Sequence, residues 1–327
     1  MSKFYCKQLN NDEQSILLGF LSSECILQEA LISLRYGANL CRYSFGKYNI
    51  IDYDPVLLRT SDFTGTPVLY PTPNRVENGV LNFQGKSYAQ IKRGRYVFEH
   101  GLVYDEEWDL VEMHSTDNEA FLSVRISWTN ESPLFEAFPF PHSLTLTFRL
   151  INGGISITYD ILNFGTEVLP YGFGLHPYFQ KLSGEANTLI AVPVKQVMEA
   201  TEKLLPTGNV FPVSNTMFDL NKLTPIGKLD LDHVFLRESS EKSAIIHFAD
   251  QGFKLQISAT EDFSHFVVYS PAGKPYFCIE SQTCSTNAHN LFHHGLREIS
   301  GLKMVASDEH KIGTVKYAVS VEKLMKQ

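Results

Sequence analysis

The chain has 327 residues, of which 43% are hydrophobic and 12% aromatic, and its formal net charge is −8. This apolar content is enough for a sizeable core, which excludes an intrinsically disordered protein. The negative charge argues against nucleic acids and anionic membranes as partners. The densest basic stretch is the short segment 92–95, which we interpret as a solvated strand edge.

The cysteines and the first residues of the chain indicate the compartment. None of the five cysteines has the Cys-x-x-Cys or Cys/His spacing of a metal site, so reduced thiols and no metal are expected. Residues 1–5 lack a secretory signal, and no apolar run of about 18 residues occurs. We therefore expect a soluble cytoplasmic protein. The cysteines are Cys6, Cys25, Cys41, Cys278 and Cys284.

The first predicted elements are a helix over residues 15–27 and a stiff loop over residues 66–76. The loop is rich in proline, which restricts φ, and it ends with Asn74 and Arg75. A rigid loop of this kind can hold a guanidinium against a ligand oxygen. The alternative is that Arg75 only pairs with a surface carboxylate.

Residues 96–101 alternate like a strand and end at His100-Gly101. The glycine allows the chain to bend close to the group that the imidazole meets. His100 is therefore a candidate binding residue, although a His-Gly pair alone is weak support.

The segments 144–150 and 155–161 alternate between apolar and polar residues, and an Asn-Gly-Gly turn joins them. They predict a β-hairpin. Two more pairs follow the same pattern, 244–248 with 253–257 and 266–269 with the segment leading to Phe277. Together they predict a meander of antiparallel strands, followed by a short helical turn at 287–292.

Helical patterns are scarce, and no linker, repeat or charge block divides the sequence. The fold class predicted from the patterns is all-β, with a large antiparallel β-sandwich. We expect a single domain over residues 1–327.

His176 lies among residues that shape the backbone, Gly172, Gly174 and Pro177, and next to Tyr178. The aromatic ring of Tyr178 can stack on the C–H face of a sugar or pack in a core. The other interpretation of His176 is a core histidine whose ring nitrogens bind backbone groups.

Glu280 follows four residues of a predicted buried strand, 276–279. A carboxylate there is costly unless it is paired or functional, and burial would raise its pKa toward the range of a general base. A histidine and a carboxylate presented from strands make a general acid/base couple. Alternatively, Glu280 forms a structural ion pair with Arg75 or a lysine.

The motifs of this chain, in their order along the sequence, resemble those of the aldose 1-epimerase (galactose mutarotase) family. The resemblance covers nearly the whole chain. Its motifs are fairly specific only in combination. They are Asn74-Arg75, His100-Gly101, the segment 174–179, the segment 231–235 and Ile279-Glu280.

The resemblance implies a galactose mutarotase-like supersandwich and an enzyme that interconverts the α and β anomers of an aldose without a cofactor. By analogy, Glu280 is the base and His176 the acid. His100 and Arg75, with Asn74 beside them, would hold the sugar, and Asp232 would accept its hydroxyl hydrogen bonds. Tyr178 and Asn74 complete the expected binding set, and a monomer or homodimer is expected.

Some features depart from the family pattern. Arg75 stands alone in its loop, where members acting on hexose 6-phosphates have an arginine cluster, so an unphosphorylated sugar is expected. Asp230 lies two residues from Asp232 and would share its strand face, so either carboxylate can be the binding group. The alternatives are a non-catalytic carbohydrate-binding protein or sugar sensor, a hexose-6-phosphate epimerase and, less favoured, a polysaccharide-acting enzyme.

Overall fold

The computed structural model of the protein describes residues 3–22 and 27–322. About 50% of the residues are in strands and about 9% in helices. The first strands are β1 (Lys3–Gln8), β2 (Ser15–Leu21), β3 (Leu27–Ser33), β4 (Asn39–Phe45), β5 (Tyr48–Ile51), β6 (Val68–Leu69), β7 (Val80–Phe83), β8 (Lys86–Ala89), β9 (Ile91–Lys92), β10 (Arg95–Tyr96), β11 (Asp109–Ser115), β12 (Ala120–Trp128), β13 (His142–Ile151) and β14 (Gly154–Asn163).

The second half of the chain continues in the same way. Its strands are β15 (Leu169–Tyr171), β16 (Gly174–Leu175), β17 (Tyr178–Gln180), β18 (Thr188–Ala191), β19 (Val194–Ala200), β20 (Pro206–Pro212), β21 (Thr224–Pro225), β22 (Asp232–Arg237), β23 (Ala244–Phe248), β24 (Phe253–Ala259), β25 (His265–Tyr269), β26 (Tyr276–Gln282), β27 (Lys303–Val305) and β28 (His310–Val321). The helices are α1 (Pro55–Arg59), α2 (Gly184–Asn187), α3 (Ala288–His293) and α4 (Arg297–Ser300), with 3₁₀ turns at Glu77–Gly79, Ile226–Lys228 and Ala249–Gln251.

Two large antiparallel sheets form the fold. The first has 13 strands, with a main path in the order β1-β2-β3-β4-β5-β17-β26-β25-β22-β19-β20, and β16 joins β26 to β6 beside it. The second has nine strands in the order β11-β12-β13-β14-β28-β24-β23-β18-β21. The pairs β7–β8, β9–β10 and β15–β27 form small separate ladders.

The two sheets pack face to face through buried apolar side chains. Phe179 of the first sheet contacts Tyr317 of the second, with ring centroids 5.8 Å apart, and Phe45 meets Phe253 at 5.9 Å. Residues of β14 alternate between buried and partly exposed along its length, as expected for a strand that covers a core with one face. The predicted all-β sandwich is confirmed.

The helix predicted over residues 15–27 is wrong. Residues 15–21 form β2 instead, which lies between β1 and β3 and is buried on both faces for most of its length. A continuous apolar run does not distinguish a buried strand from a helix by periodicity. Residues 23–26, which include Cys25, lie outside the described residues.

The predicted hairpins are confirmed. The segments 144–150 and 155–161 lie in β13 and β14, and β23–β24 and β25–β26 pair antiparallel. They do not form one meander, because β23–β24 belongs to the nine-stranded sheet and β25–β26 to the 13-stranded sheet. The helical turn predicted at 287–292 is α3.

Two predictions about residues 92–101 need correction. Lys92 is buried rather than solvated, and its ammonium pairs with the carboxylates of Asp105 and Glu106. The strand after it ends at Tyr96, and the chain then bridges to another segment, with Glu99 opposite Arg75 and Gly101 opposite Tyr70. The alternation predicted for residues 96–101 is broken at its end, where His100 and Gly101 have positive φ.

Candidate active site

Strand β26 and the two strands paired with it, β16 and β17, bring His176 and Glu280 together. Gly174 pairs with Gln282 and Tyr178 pairs with Cys278, so one register runs through β16, β17 and β26. His176 lies in the two-residue gap between β16 and β17, directly opposite Glu280 on β26. Its Nε2 atom is 3.4 Å from Oε1 of Glu280.

Both members of this pair are buried, with 5% of His176 and 2% of Glu280 exposed. Burial penalises the charged forms, which raises the pKa of Glu280 well above its usual value and lowers the pKa of His176 to about 3. Gln282 donates a hydrogen bond of 2.8 Å to Oε2 of Glu280. The carboxyl group is therefore held by Gln282 on one oxygen and faces the imidazole with the other.

The loop after β6 places Arg75 at the same cleft. Asn74, at φ 58°, accepts hydrogen bonds on Oδ1 from the backbone N–H of Arg75 at 2.9 Å and from its Nη1 at 3.1 Å. Nη2 of Arg75 lies 3.2 Å from Oε1 of Glu99. The ion pair expected as an alternative for Arg75 is thus made with Glu99, and no pair between Arg75 and Glu280 is present within the described residues.

His100 lies beside His176, with ring centroids 5.1 Å apart at an interplanar angle of 80°. Phe63 packs edge-on against His100 at 4.5 Å. Burial lowers the pKa of His100 well below its usual value, with smaller effects from His176 and Arg75. The imidazole of His100 therefore favours the neutral form.

Gly101 explains how the chain can turn beside His100. Its φ is 76°, and a Cβ atom there would lie 2.2 Å from the carbonyl oxygen of Tyr70. The chain makes this close approach because Leu102 donates a backbone hydrogen bond to the same oxygen. The glycine is required by the Tyr70 backbone rather than by the group that the imidazole meets.

Asp232 lines the cleft, whereas Asp230 does not. Asp232 is the first residue of β22 and pairs in register with Tyr269 of β25. Asp230 precedes the strand and is exposed, so the two carboxylates do not share a strand face as the sequence suggested.

Tyr178 stacks on His176, with ring centroids 4.8 Å apart and an interplanar angle of 5°. Its other close aromatic neighbour is Tyr276, at 5.0 Å. Tyr178 lines the cleft, and one face of its ring is already covered by the imidazole. Stacking of Tyr178 on a sugar stays a prediction.

The cleft has a volume of about 150 Å³. This is below the ~300–1,000 Å³ of pockets for drug-sized ligands, so it suits a small molecule. All seven site residues predicted from the sequence line it. The full lining is Phe63, Asn74, Arg75, Glu99, His100, His176, Tyr178, Asp232, Val267, Tyr269 and Glu280.

Sequence reasoning missed four of these residues. Phe63 follows α1 in an irregular loop with no motif, and Val267 and Tyr269 belong to a strand that was predicted only for its hairpin. Glu99 carried the one available signal, since it is a charged residue directly before His100.

Comparison with known proteins identifies the class. The sequence model of the family described as aldose 1-epimerase matches residues 30–299. The chain is 26% identical over 262 residues to the uncharacterized protein YihR of Escherichia coli K12, covering 78% of this chain and 80% of YihR. It is also 26% identical over 237 residues to galactose mutarotase of Sus scrofa, covering 64% of this chain and 67% of that protein.

Solved structures show the same fold. A galactose mutarotase-like protein from Clostridium acetobutylicum superposes with a TM-score of 0.84 at 21% identity, covering 98% of this chain and 99% of that one. The galactose 1-epimerase of Lactobacillus acidophilus NCFM gives 0.75 at 15% identity, covering 98% and 99%. The fold is thus the galactose mutarotase-like supersandwich. With the match over residues 30–299, the chain belongs to the aldose 1-epimerase family.

No helix in the described part of the chain has the length and apolar character needed to cross a membrane. Within the same residues, no group of three or more histidine, cysteine, aspartate or glutamate side chains is arranged to hold a metal ion. Four described cysteines have free thiols, namely Cys6, Cys41, Cys278 and Cys284.

Proposed function

We propose that this protein is an aldose 1-epimerase that interconverts the α and β anomers of an unphosphorylated aldose, with Glu280 as base and His176 as acid. The observation that carries the proposal is the 3.4 Å approach of Nε2 of His176 to Oε1 of Glu280 at a small open cleft. Family membership supports the reaction class.

The protonation of this pair fits the reaction. Burial raises the pKa of Glu280 and lowers that of His176, so over a wide pH range the two groups together hold one proton. These shifts favour the proton on Glu280 in the resting pair, and its transfer to His176 crosses the 3.4 Å between the two atoms. The form with the proton on His176 is the acid/base form that a closed sugar ring requires.

The ring opens by two proton transfers. The Glu280 carboxylate takes the proton of the C1 hydroxyl, C1 becomes a carbonyl carbon, and the bond from C1 to the ring oxygen breaks. The electron pair of that bond goes to the ring oxygen, which takes the proton of His176. At this stage Glu280 is protonated and His176 is neutral, so the pair still holds one proton.

Rotation about the C1–C2 bond turns the other face of the carbonyl toward the ring oxygen. Ring closure then reverses the roles, with His176 taking a proton and Glu280 giving one. The opposite anomer forms, and the pair returns to its starting state. The steps move protons and break and re-form the bond between C1 and the ring oxygen without net oxidation or reduction, so the proposal requires no cofactor.

The other lining residues would bind the sugar. Arg75 and His100 would contact its oxygens and Asp232 would accept hydrogen bonds from its hydroxyls, with Asn74 orienting Arg75 through the contacts described above. Tyr178 would offer its ring to the sugar and also fixes the plane of His176. Fixing the acid in this way favours a single reactive geometry.

Polarimetry of freshly dissolved α-D-glucose and α-D-galactose tests the proposal. We expect the wild type to speed the approach to anomeric equilibrium, and Glu280→Gln and His176→Asn each to lose at least ~10²-fold in rate, the usual contribution of one positioned acid or base. Matched controls are Glu13→Gln, a buried glutamate paired with Arg59, and His265→Asn, a buried histidine outside the cleft. Full activity of Glu280→Gln would refute the mechanism.

The same experiment distinguishes the proposed enzyme from the main alternative. A carbohydrate-binding protein or sensor would bind the sugars at pH 5 to 8 without any rate enhancement by the wild type. The cytoplasmic location and the monomeric or homodimeric state are part of the proposal, and sedimentation and cell fractionation would test them.

A further inference from the structure

The charges that line the cleft do not balance. Among the described residues of the lining, Arg75 is the one side chain with a permanent positive charge, against the carboxyl groups of Glu99 and Asp232. Burial lowers the pKa of His100 and so favours its neutral form, and the pair of His176 and Glu280, which together hold one proton, carries no net charge. The cleft therefore has no surplus of positive charge.

The guanidinium of Arg75 is also already occupied. Nη1 contacts Oδ1 of Asn74 at 3.1 Å, and Nη2 contacts Oε1 of Glu99 at 3.2 Å. The side chains of Arg75 and Glu99 are 28% and 36% exposed, so this ion pair faces the cleft rather than the core. The same oxygen of Glu99 lies 3.6 Å from Nε2 of His100.

The backbone fixes Glu99 in this place. Arg75 and Glu99 form an antiparallel bridge. On either side of it, Val76 donates to the carbonyl of Phe98 at 2.7 Å and His100 donates to the carbonyl of Asn74 at 2.8 Å. Main-chain hydrogen bonds thus hold the backbone of Glu99 opposite Arg75, and from there its carboxylate reaches the guanidinium.

We propose that Glu99 is a specificity-determining residue, which neutralises Arg75 and so restricts the cleft to aldoses without a negative charge. This inference rests on the proposed function and names the substrate class of the same site. A phosphate or carboxylate on the sugar would enter beside Asp232 and Glu99 with no free cation to receive it. Like charges brought together at a binding site select strongly against the wrong partner.

The key variant is Glu99→Gln. The amide has nearly the same shape and keeps an oxygen that can accept from Arg75, but it removes one negative charge and leaves the guanidinium unneutralised. Glu99→Asp keeps the charge on a shorter side chain. Glu119→Gln is the matched control, because Glu119 is a partly buried carboxylate that pairs with Arg149 on the nine-stranded sheet, away from the cleft.

The experiment compares D-galactose with D-galactose 6-phosphate and D-galacturonate, using exchange NMR for anomerisation and calorimetry for binding. We expect wild type, Glu99→Asp and Glu119→Gln to favour the neutral sugar. In Glu99→Gln the ratio of kcat/KM for neutral over anionic sugar should fall about 10-fold or more, because one unit charge near the ligand is gone. The change should come from a gain on the anionic sugars.

Two results would overturn the inference. The first is an equal loss of activity on all three sugars in Glu99→Gln, which is what a merely structural role in holding Arg75 would produce. The second is a wild type that binds or turns over the anionic sugars as well as galactose. If the wild type binds sugars without turnover, the proposed function fails, but the dissociation constants of the same variants still test the role of Glu99.

Discussion

Glu280 divides its two carboxyl oxygens between two neighbours. Oε2 accepts a hydrogen bond from Gln282, and Oε1 lies near Nε2 of His176. The hydrogen bond favours the ionised form and so partly opposes the effect of burial on the pKa of Glu280. A base needs this compromise, because a carboxyl group that is too hard to ionise cannot take the hydroxyl proton.

The pH profile of activity tests the proposal that His176 and Glu280 share one proton. In the proposed mechanism, activity requires that His176 and Glu280 together hold one proton. This condition ends when a second proton binds on the acid side or when the proton leaves on the alkaline side. Because the pKa of His176 is lowered to about 3, we expect kcat/KM to show no acid limb above pH 5. It should fall on the alkaline side, since Glu280 gives up its proton above its usual range.

Stopped-flow polarimetry at a series of pH values in dilute buffer would measure this profile. An acid limb centred near 6.5, the ordinary value for histidine, would contradict it. A spontaneous-rate blank at each pH is the necessary control, since sugars also mutarotate in water.

Single residues differ in how far the sequence predicts them. His176 and Glu280 were predicted because each stands in a motif, between backbone-shaping residues or at the end of an apolar strand. Asp232 was not separable from Asp230, since the choice depends on where β22 begins. Glu99 was missed because its importance comes from a contact across two segments.

At the scale of elements, the bridge between Tyr70 and Gly101 ties the loop of Arg75 to the loop of His100. Both segments supply residues to the cleft. The bridge leaves no space for a side chain at residue 101. A substitution of Gly101 therefore tests how much this bridge contributes to stability.

We expect Gly101→Ala to lower the free energy of unfolding by about 1–3 kcal/mol more than a matched control does. The control is Gly85→Ala, since Gly85 has φ 77° and open space around its Cβ position. The two variants share the backbone strain, so the difference measures the clash with Tyr70. Urea denaturation measures both, and equal losses would contradict the expectation.

The elements also show why sequence patterns succeed or fail. The hairpin β13–β14 is predictable because one face is buried and the other is more exposed to solvent, so apolar and polar residues alternate in its sequence. β2 is buried on both faces for most of its length, and its apolar run therefore resembles a helix segment. No local sequence pattern shows to which of the two sheets a hairpin belongs.

At the scale of the whole molecule, several histidines are enclosed by the sandwich. Burial lowers the pKa of His142 to about 3 and that of His265 and His289 to about 4. The unfolded chain protonates these groups near 6.5. Their contribution to stability is complete above pH 6.5 and is lost as the pH falls through that range toward 4.

Acid destabilisation should therefore depend on these residues. For His289→Gln we expect the free energy of unfolding to vary less steeply between pH 6 and 5, by about 1 kcal/mol per pH unit. Leu291→Ala, a buried change in the same helix that removes no ionisable group, should keep the wild-type slope. Urea denaturation at several pH values measures the slopes, and parallel curves for wild type and His289→Gln would contradict the account.

The supersandwich itself follows from the strand patterns and the family resemblance. The single domain over residues 1–327, the compartment and the oligomeric state stay predictions, because they depend on surfaces and on partners rather than on the core.

The register shared by β16, β17 and β26 has a consequence for protein engineering. The separation of His176 and Glu280 is set by main-chain hydrogen bonds between neighbouring strands, whereas Arg75, Glu99 and His100 arrive on loops from elsewhere in the chain. If the proposed function holds, we therefore expect an exchange of those loops to change sugar preference while the spacing of His176 and Glu280 is kept.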